Sequence, residues 1–246
     1  NNNSNTYLYG NINYEASIDE IRDANTKNNR LKGLASTSEE NNYLFPINQT
    51  RGVVDFSPLA GTKNEIDNIS KIIINSKVYQ ETLATEESIK ILSGNSPNIL
   101  HIGTHGVYYS QDDRDSENVD FIEFSDTTTT ITNAEEEALS RCALLMAGAQ
   151  NAYYSPETIP FDMEDGILTA QEISLLDLRH TDFISLSACE TAKGDITGDG
   201  VFGLQRGFKK AGANTILMSL WKVDDKATCK LMTEFYTNWI NKKMTK

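Results

Sequence analysis

Ile99-Leu100-His101-Ile102-Gly103-Thr104-His105-Gly106 is the stretch on which the reading of this chain turns. Ile99 to Ile102 has the apolar, β-branched character of a buried strand, and Gly103 ends it. Far downstream, Phe183-Ile184-Ser185-Leu186 repeats the pattern and runs into Ser187-Ala188-Cys189-Glu190. Each strand therefore delivers a reactive side chain, His105 or Cys189, just past its carboxyl end. Open α/β sheets bind ligands beyond those ends, and adjacent parallel strands would bring the two side chains together.

Working outward, the same alternation continues. Thr6–Tyr9 and Val78–Gln80 read as short strands. Thr62-Lys63-Asn64-Glu65 fits a capping box, followed by Ile66, Ile69, Ile72 and Ile73 at helical spacing. Thr85-Glu86-Glu87 opens a short helix with acids in its first turn. Cys142–Met146 is apolar and ends at Gly148. Thr169-Ala170-Gln171-Glu172 is a second capping box, opening a helix to about Leu176. Val201–Lys210 reads as a helix stopped at Gly212, and Thr215–Leu220 as a strand. Asp225 is expected to cap a last helix in which Leu231, Phe235 and Trp239 recur every four residues, so that Phe235 and Trp239 face the core. Strands alternating with helices imply an α/β, three-layer αβα fold: a mainly parallel sheet with helices on both faces. The chain contains no internal repeat.

Composition bounds the function. The 246 residues carry 22 Lys+Arg against 35 Asp+Glu, a formal charge of −13. That balance excludes nucleic acid as a partner, because phosphate binding needs clustered bases. No apolar run approaches the length of a membrane span, and Asn1–Tyr14 lacks the cationic and apolar regions of a signal peptide. The widely spaced Cys142, Cys189 and Cys229 form no disulfide framework, so a reducing, cytoplasmic setting is expected. The acidity is concentrated between Ser110 and Glu137, where ten acids face one base, Arg114, around the run Thr127–Thr130. This stretch, about 110–137, reads as a long solvated loop. A second polar zone, about 19–42, reads as a mobile connection between elements. The whole of 1–246 is expected to form a single domain.

A Cys beside a His is the minimum equipment of a thiol nucleophile, since imidazole can take the thiol proton. Gly106 lets the backbone approach a bound carbonyl closely, and its N–H can serve as an oxyanion donor. Isolated Cys and His residues at strand ends also serve as packing residues, so spacing alone leaves the choice open. Two rival motifs carry less. Gly198-Asp199-Gly200-Val201-Phe202-Gly203 is a literal G-x-G-x-x-G, but it does not follow its strand directly, as pyrophosphate binding requires. Those glycines are read as a flexible loop and a close helix–sheet contact. His101 and His105 have H-x₃-H spacing, but four strand residues span roughly 13 Å, too far for one metal. His101 is therefore read as a packed strand residue, and neither metal nor cofactor is expected. Cys142 and Cys229 lack a cationic setting that would make them reactive.

Leu100–Gly106 (LHIGTHG) and Ser185–Gly194 (SLSACETAKG) resemble the His and Cys motifs of CHAT domains, caspase-like peptidase modules often found with tetratricopeptide repeats. Tyr9–Tyr14 (YGNINY), Pro58–Thr62 (PLAGT), Asp165–Ile173 (DGILTAQEI) and Ser219–Asp225 (SLWKVDD) are similar to the family's remaining blocks and occur in its order. The likeness spans the chain except for the two polar zones.

The resemblance implies a caspase-like cysteine endopeptidase acting on a protein substrate. It places His105 as the general base and Cys189 as the nucleophile, with the N–H groups of Gly106 and Cys189 as the oxyanion hole. Ser219 to Asp225 would shape the pocket for the residue before the cut. There Asp224 and Asp225 can take a basic side chain against Trp221, although Asp225 is equally placed as a helix N-cap. Asp165 also matches a family position, where a structural role in the turn before Thr169 serves as well. The long loops around the site point to a partner or ligand that must order them, a regulatory protein or the upstream repeat region of a longer protein of which this chain is expected to be a fragment. The alternative is a catalytically silent binding or scaffold module.

Overall fold

The computed structural model describes residues 5–30, 56–108, 139–187, 198–219 and 224–246. Its main sheet holds five strands: β1 (Thr6–Ile12), β2 (Lys77–Glu81), β3 (Ile99–Gly103), β7 (Phe183–Ser187) and β8 (Thr215–Met218). They lie in the order β2-β1-β3-β7-β8 and every pairing is parallel. A smaller antiparallel sheet, in the order β4-β5-β6, is built from β4 (Gly106–Tyr108), β5 (Cys142–Leu145) and β6 (Ile167–Thr169).

Alternation along the central strands explains the two covered faces. Leu8, Ile99 and Phe183 enter one apolar cluster with Ile66, Ile69, Met232 and Tyr236. These partners come from α2 (Ala60–Ile72) and the last α-helix, α7 (Asp225–Tyr236). Tyr7, Tyr9, Leu100, Ile102, Ile184 and Leu186 point the other way, into the larger cluster with Leu144, Leu168, Ile173 and Phe208. Among the described residues the other α-helices are α1 (Ile18–Arg30), α3 (Glu86–Lys90), α4 (Ala149–Tyr154), α5 (Ala170–Leu175) and α6 (Gly198–Lys210). The arrangement is the α/β fold expected, with a mostly parallel sheet and helices on both sides.

Two helix starts follow their local chemistry. Thr85 accepts from the Ser88 N–H at the head of α3, and Thr169 and Glu172 form a complete capping box at α5. The Thr62–Glu65 box does not form. Leu59 is the N-cap of α2, without a side-chain bond. Thr62 instead donates to the Leu59 carbonyl and accepts from the Asn11 N–H, while the Glu65 carboxylate faces His101. Long-range partners have taken both members of the apparent box.

Other expectations change. The first part of the supposed mobile connection is the helix α1, which buries Ile21 and Ala24. Residues 31–42 and the acidic stretch 110–137 lie outside the described residues. Helix α6 starts at Gly198, three residues before Val201, so Gly198 and Gly200 are helical rather than a loop. Strand β8 ends at Met218, short of Leu220. The cap of α7 is Asp224, whose carboxylate accepts from the Ala227 N–H, not Asp225. On α7, Leu231 is 65% exposed, whereas Met232 and Tyr236 fill the core. Phe235 and Trp239 are partly buried and stack around Phe183, as their spacing predicted.

Candidate active site

The strand order reverses between β1 and β3, since β1 leads to β2 on one side and β3 leads toward β7 on the other. Such a reversal opens a crevice at the carboxyl ends. Tyr14 follows β1 there, and His105 follows β3. On the other flank of β3, Gly103 is in register with Ser187 of β7. His105 and Cys189 each stand two residues beyond that matched pair in sequence; Cys189 itself lies outside the described residues.

His105 is held on several sides. It is 2% exposed. Its ring Nε2 lies 2.9 Å from the Ser57 carbonyl oxygen. A carbonyl only accepts, so Nε2 carries the proton and Nδ1 holds the lone pair of the neutral ring. The His105 carbonyl accepts from the Leu145 N–H at 2.9 Å, and its own N–H donates to the Tyr14 hydroxyl at 3.3 Å. The Tyr14 and His105 rings are 5.1 Å apart. Gly106 opens β4 and pairs with Leu144, so the small sheet begins immediately after the histidine.

Beneath this crevice lies a buried polar layer between β3, α2 and α7. His101 is fully buried, with Nε2 3.0 Å from Glu65 Oε1 and 3.5 Å from the Ser187 hydroxyl. The Tyr236 hydroxyl stands 3.4 Å from its Nδ1. Burial and the nearby Glu65 carboxylate both push the Tyr236 phenol upward. His101 is thus the packed strand residue expected, with its ring engaged from two helices and a strand. Gly103 continues that face, and a Cβ there would meet Thr62 at 3.0 Å and the Ser187 hydroxyl at 3.2 Å. Cys142 is buried in β5. Cys229, on α7, has its thiol raised by burial and by the Glu65 charge.

A second charged cluster ties α3 to the start of β6 and α5. Lys90 Nζ lies 2.8 Å from Glu86, 2.7 Å from Glu164 and 2.8 Å from Glu172. Those three carboxylates could hold a cation among the described residues, and the lysine ammonium occupies that place. Burial alone would lower the Lys90 pKa; Glu86, Glu172 and Glu164 outweigh it and raise it. Burial also raises Glu86, with Glu172 adding to the effect. Asp165, beside them, is pushed up to about 7, chiefly by burial. Its carboxylate accepts from the Ile167 N–H at 2.8 Å, the structural turn before Thr169.

Asp224 is exposed and spends one oxygen on capping α7. Trp221 and the side chain of Asp225 lie outside what the structure describes.

The family model of the CHAT domain matches residues 3–246. The chain belongs to the CHAT family. Its fold is consistent with the caspase-like, peptidase-related context of that family. Tetratricopeptide repeat protein 28 of mouse is 31% identical to this CHAT domain over 112 residues, covering 39% of the chain and 5% of the mouse protein. Its human counterpart is 29% identical over 113 residues, covering 39% of the chain and 4% of the human protein. The CHAT chain thus spans a small part of the curated relatives it matches. No solved structure matches it significantly. No helix among the described residues is long and apolar enough to cross a membrane.

Sequence reasoning placed His105 at the crevice but missed the groups that hold it. Ser57 acts through its main-chain carbonyl, which leaves no side-chain signature. Tyr14 closes the YGNINY block, and only its position after the first strand could have drawn attention to it.

Proposed function

We propose that this CHAT domain is a cytoplasmic cysteine endopeptidase with Cys189 as nucleophile and His105 as base. The carrying observation is the register of Gly103 with Ser187, which aligns the two segments leading to His105 and Cys189. The orientation of the His105 ring supports the same reading. With Nε2–H given to Ser57, Nδ1 accepts the Cys189 thiol proton. The thiolate then attacks the scissile carbonyl, with the N–H groups of Gly106 and Cys189 as oxyanion donors. Collapse forms a thioester and expels the amine, which takes the proton from His105. Water hydrolyses the thioester and restores the thiol.

Trp221, Asp224 and Asp225 form the pocket for a basic residue before the cut in this reading. Activity is controlled by a partner, and the names of the relatives favour a tetratricopeptide-repeat region of a longer chain in that role. The same names favour the second reading, a scaffold module without catalysis.

The test is a proteome-wide cleavage profile of this chain against Cys189→Ala and His105→Ala. Cuts lost in both variants support the dyad, and cuts after Lys or Arg support the acidic pocket. Cuts after acidic or apolar residues refute that pocket. Cuts that persist in either variant refute the dyad, and profiles identical to that of buffer alone support the scaffold reading.

A further inference from the structure

The hydrogen bonds around His105 form a chain whose direction is forced. The His105 N–H can only donate, so the Tyr14 hydroxyl oxygen accepts from it. At the far end the Leu145 carbonyl can only accept, so the Thr104 hydroxyl spends its proton there. Tyr14 and Thr104 are 3.0 Å apart, and with the Thr104 proton committed, Tyr14 must be the donor between them. The sequence is therefore His105 N–H to Tyr14 O–H to Thr104 O–H to the Leu145 carbonyl. Leu145 closes the circuit by donating its own N–H to the His105 carbonyl. Tyr14 and Thr104 are 1% and 2% exposed, so water does not compete for these groups.

Tyr14 is itself well anchored. Its carbonyl accepts from the Gln150 N–H at 3.0 Å, and that of the preceding Asn13 from the Gly148 N–H at 3.1 Å. The Asn151 amide donates to the Ala16 carbonyl at 2.9 Å. The head of α4 thus fixes the segment carrying the tyrosine. From that base Tyr14 reaches both the backbone of His105 and one side of its ring.

We propose that Tyr14 is a positioning residue for His105, setting the plane of the imidazole by fixing its backbone through Thr104 and Leu145. This rests on His105 being the base of the dyad. Tyr14 touches no reacting atom in this role. It acts by keeping Nε2 on Ser57, so that Nδ1 is the ring nitrogen with the lone pair.

The chain has only three histidines, His101, His105 and His180, so their ring ¹⁵N and ¹H resonances can be assigned and followed with pH. The probe of the thiol is iodoacetamide, read by mass on the tryptic peptide 180–193, which contains Cys189 and no other cysteine. In Tyr14→Phe the His105 ring signals should move toward a mixture of tautomers while those of His101 and His180 stay. Alkylation of Cys189 at neutral pH should slow about fivefold, the worth of one neutral hydrogen bond. Thr104→Val should do the same and Thr104→Ser should restore the parent behaviour, so an unfolded Tyr14→Phe still leaves a decisive variant. Parent-like His105 resonances in either hydroxyl-deleted protein overturn the proposal, whatever happens to its melting temperature. His105→Ala with unchanged Cys189 alkylation overturns the dyad reading, and the ring resonances then still report separately whether Tyr14 orients the histidine.

Discussion

The Ser57 carbonyl oxygen accepts from Nε2 of His105 at 2.9 Å, and so decides which nitrogen of the ring can act as a base. The neutral histidine is expected to be the Nε2–H tautomer. A long-range ¹H–¹⁵N spectrum above the ring's titration should show a protonated Nε2 and an unprotonated Nδ1 for His105. The reverse pattern would remove the proton-transfer geometry proposed for Cys189.

Glu65 and His101 meet in a dry layer between α2 and β3, 3.0 Å apart. Glu65→Ala takes away the group facing Nε2 while the ring remains buried. The loss is expected to be about 2–3 kcal/mol in urea unfolding, against less than about 1.5 kcal/mol for Glu65→Gln, which keeps an acceptor. Equal costs for the two would mean that the negative charge, which both variants lose, is what the site uses, rather than an acceptor facing His101.

The Lys90 cluster makes stability depend on pH. Burial raises Asp165 from 3.8 to about 7. Glu86 and Glu87 are displaced in the same direction, again chiefly by burial. The folded state therefore binds protons more tightly than the unfolded chain between those limits, and its stability falls as pH rises through them. Lys90, held charged by its neighbours, does not titrate in this window. Urea midpoints should drop between about pH 4 and 7. Asp165→Asn, which keeps the acceptor for Ile167, should shrink the stability lost across that range by on the order of 4 kcal/mol. A parent-like slope in the variant would place the retained proton elsewhere.

Gly207 on α6 packs against the head of α5, where an added Cβ would come within 2.5 Å of the Ala170 carbonyl oxygen. Backbone cannot swing aside as a side chain can. Gly207→Ala is expected to cost about 2–3 kcal/mol despite the better helix propensity of alanine. A neutral or stabilising result, read by thermal melting, would show that the two helices can separate freely.

The central strands were legible because packed clusters cover both faces of the sheet, so Ile99–Gly103 and Phe183–Ser187 are buried throughout and largely apolar. The helices were less so. α1 carries a narrow buried stripe, Ile21, Ala24 and the polar Asn28, within a run of Asn, Asp and Lys, and its polarity hid its period. On α7 the repeat through Leu231 led to a face slightly off the buried one, which runs through Thr228, Met232 and Tyr236. The false capping box at Thr62 shows a related limit: a local motif competes with tertiary partners, here Asn11 and His101, that no short window contains. The histidine of the candidate site was visible as a residue type at a strand end. Its supports, a main-chain carbonyl and a tyrosine from another strand's exit, come from chain segments distant in sequence and become neighbours only through the sheet order.

The pairing of β3 with β7 carries a further consequence. Slipping β7 by one residue would turn Phe183 out of its cluster and thrust Ser185 into the opposite one, so burial itself forbids that error. A slip of two would keep the faces correct yet carry everything after Ser187 about 7 Å along the strand. It would also take the serine hydroxyl away from His101 Nε2, 3.5 Å from it, and from the space that Gly103 leaves open beside it. The small polar contacts at the strand exit thus act as a proofreading step, rejecting a misalignment that greasy surfaces alone would accept.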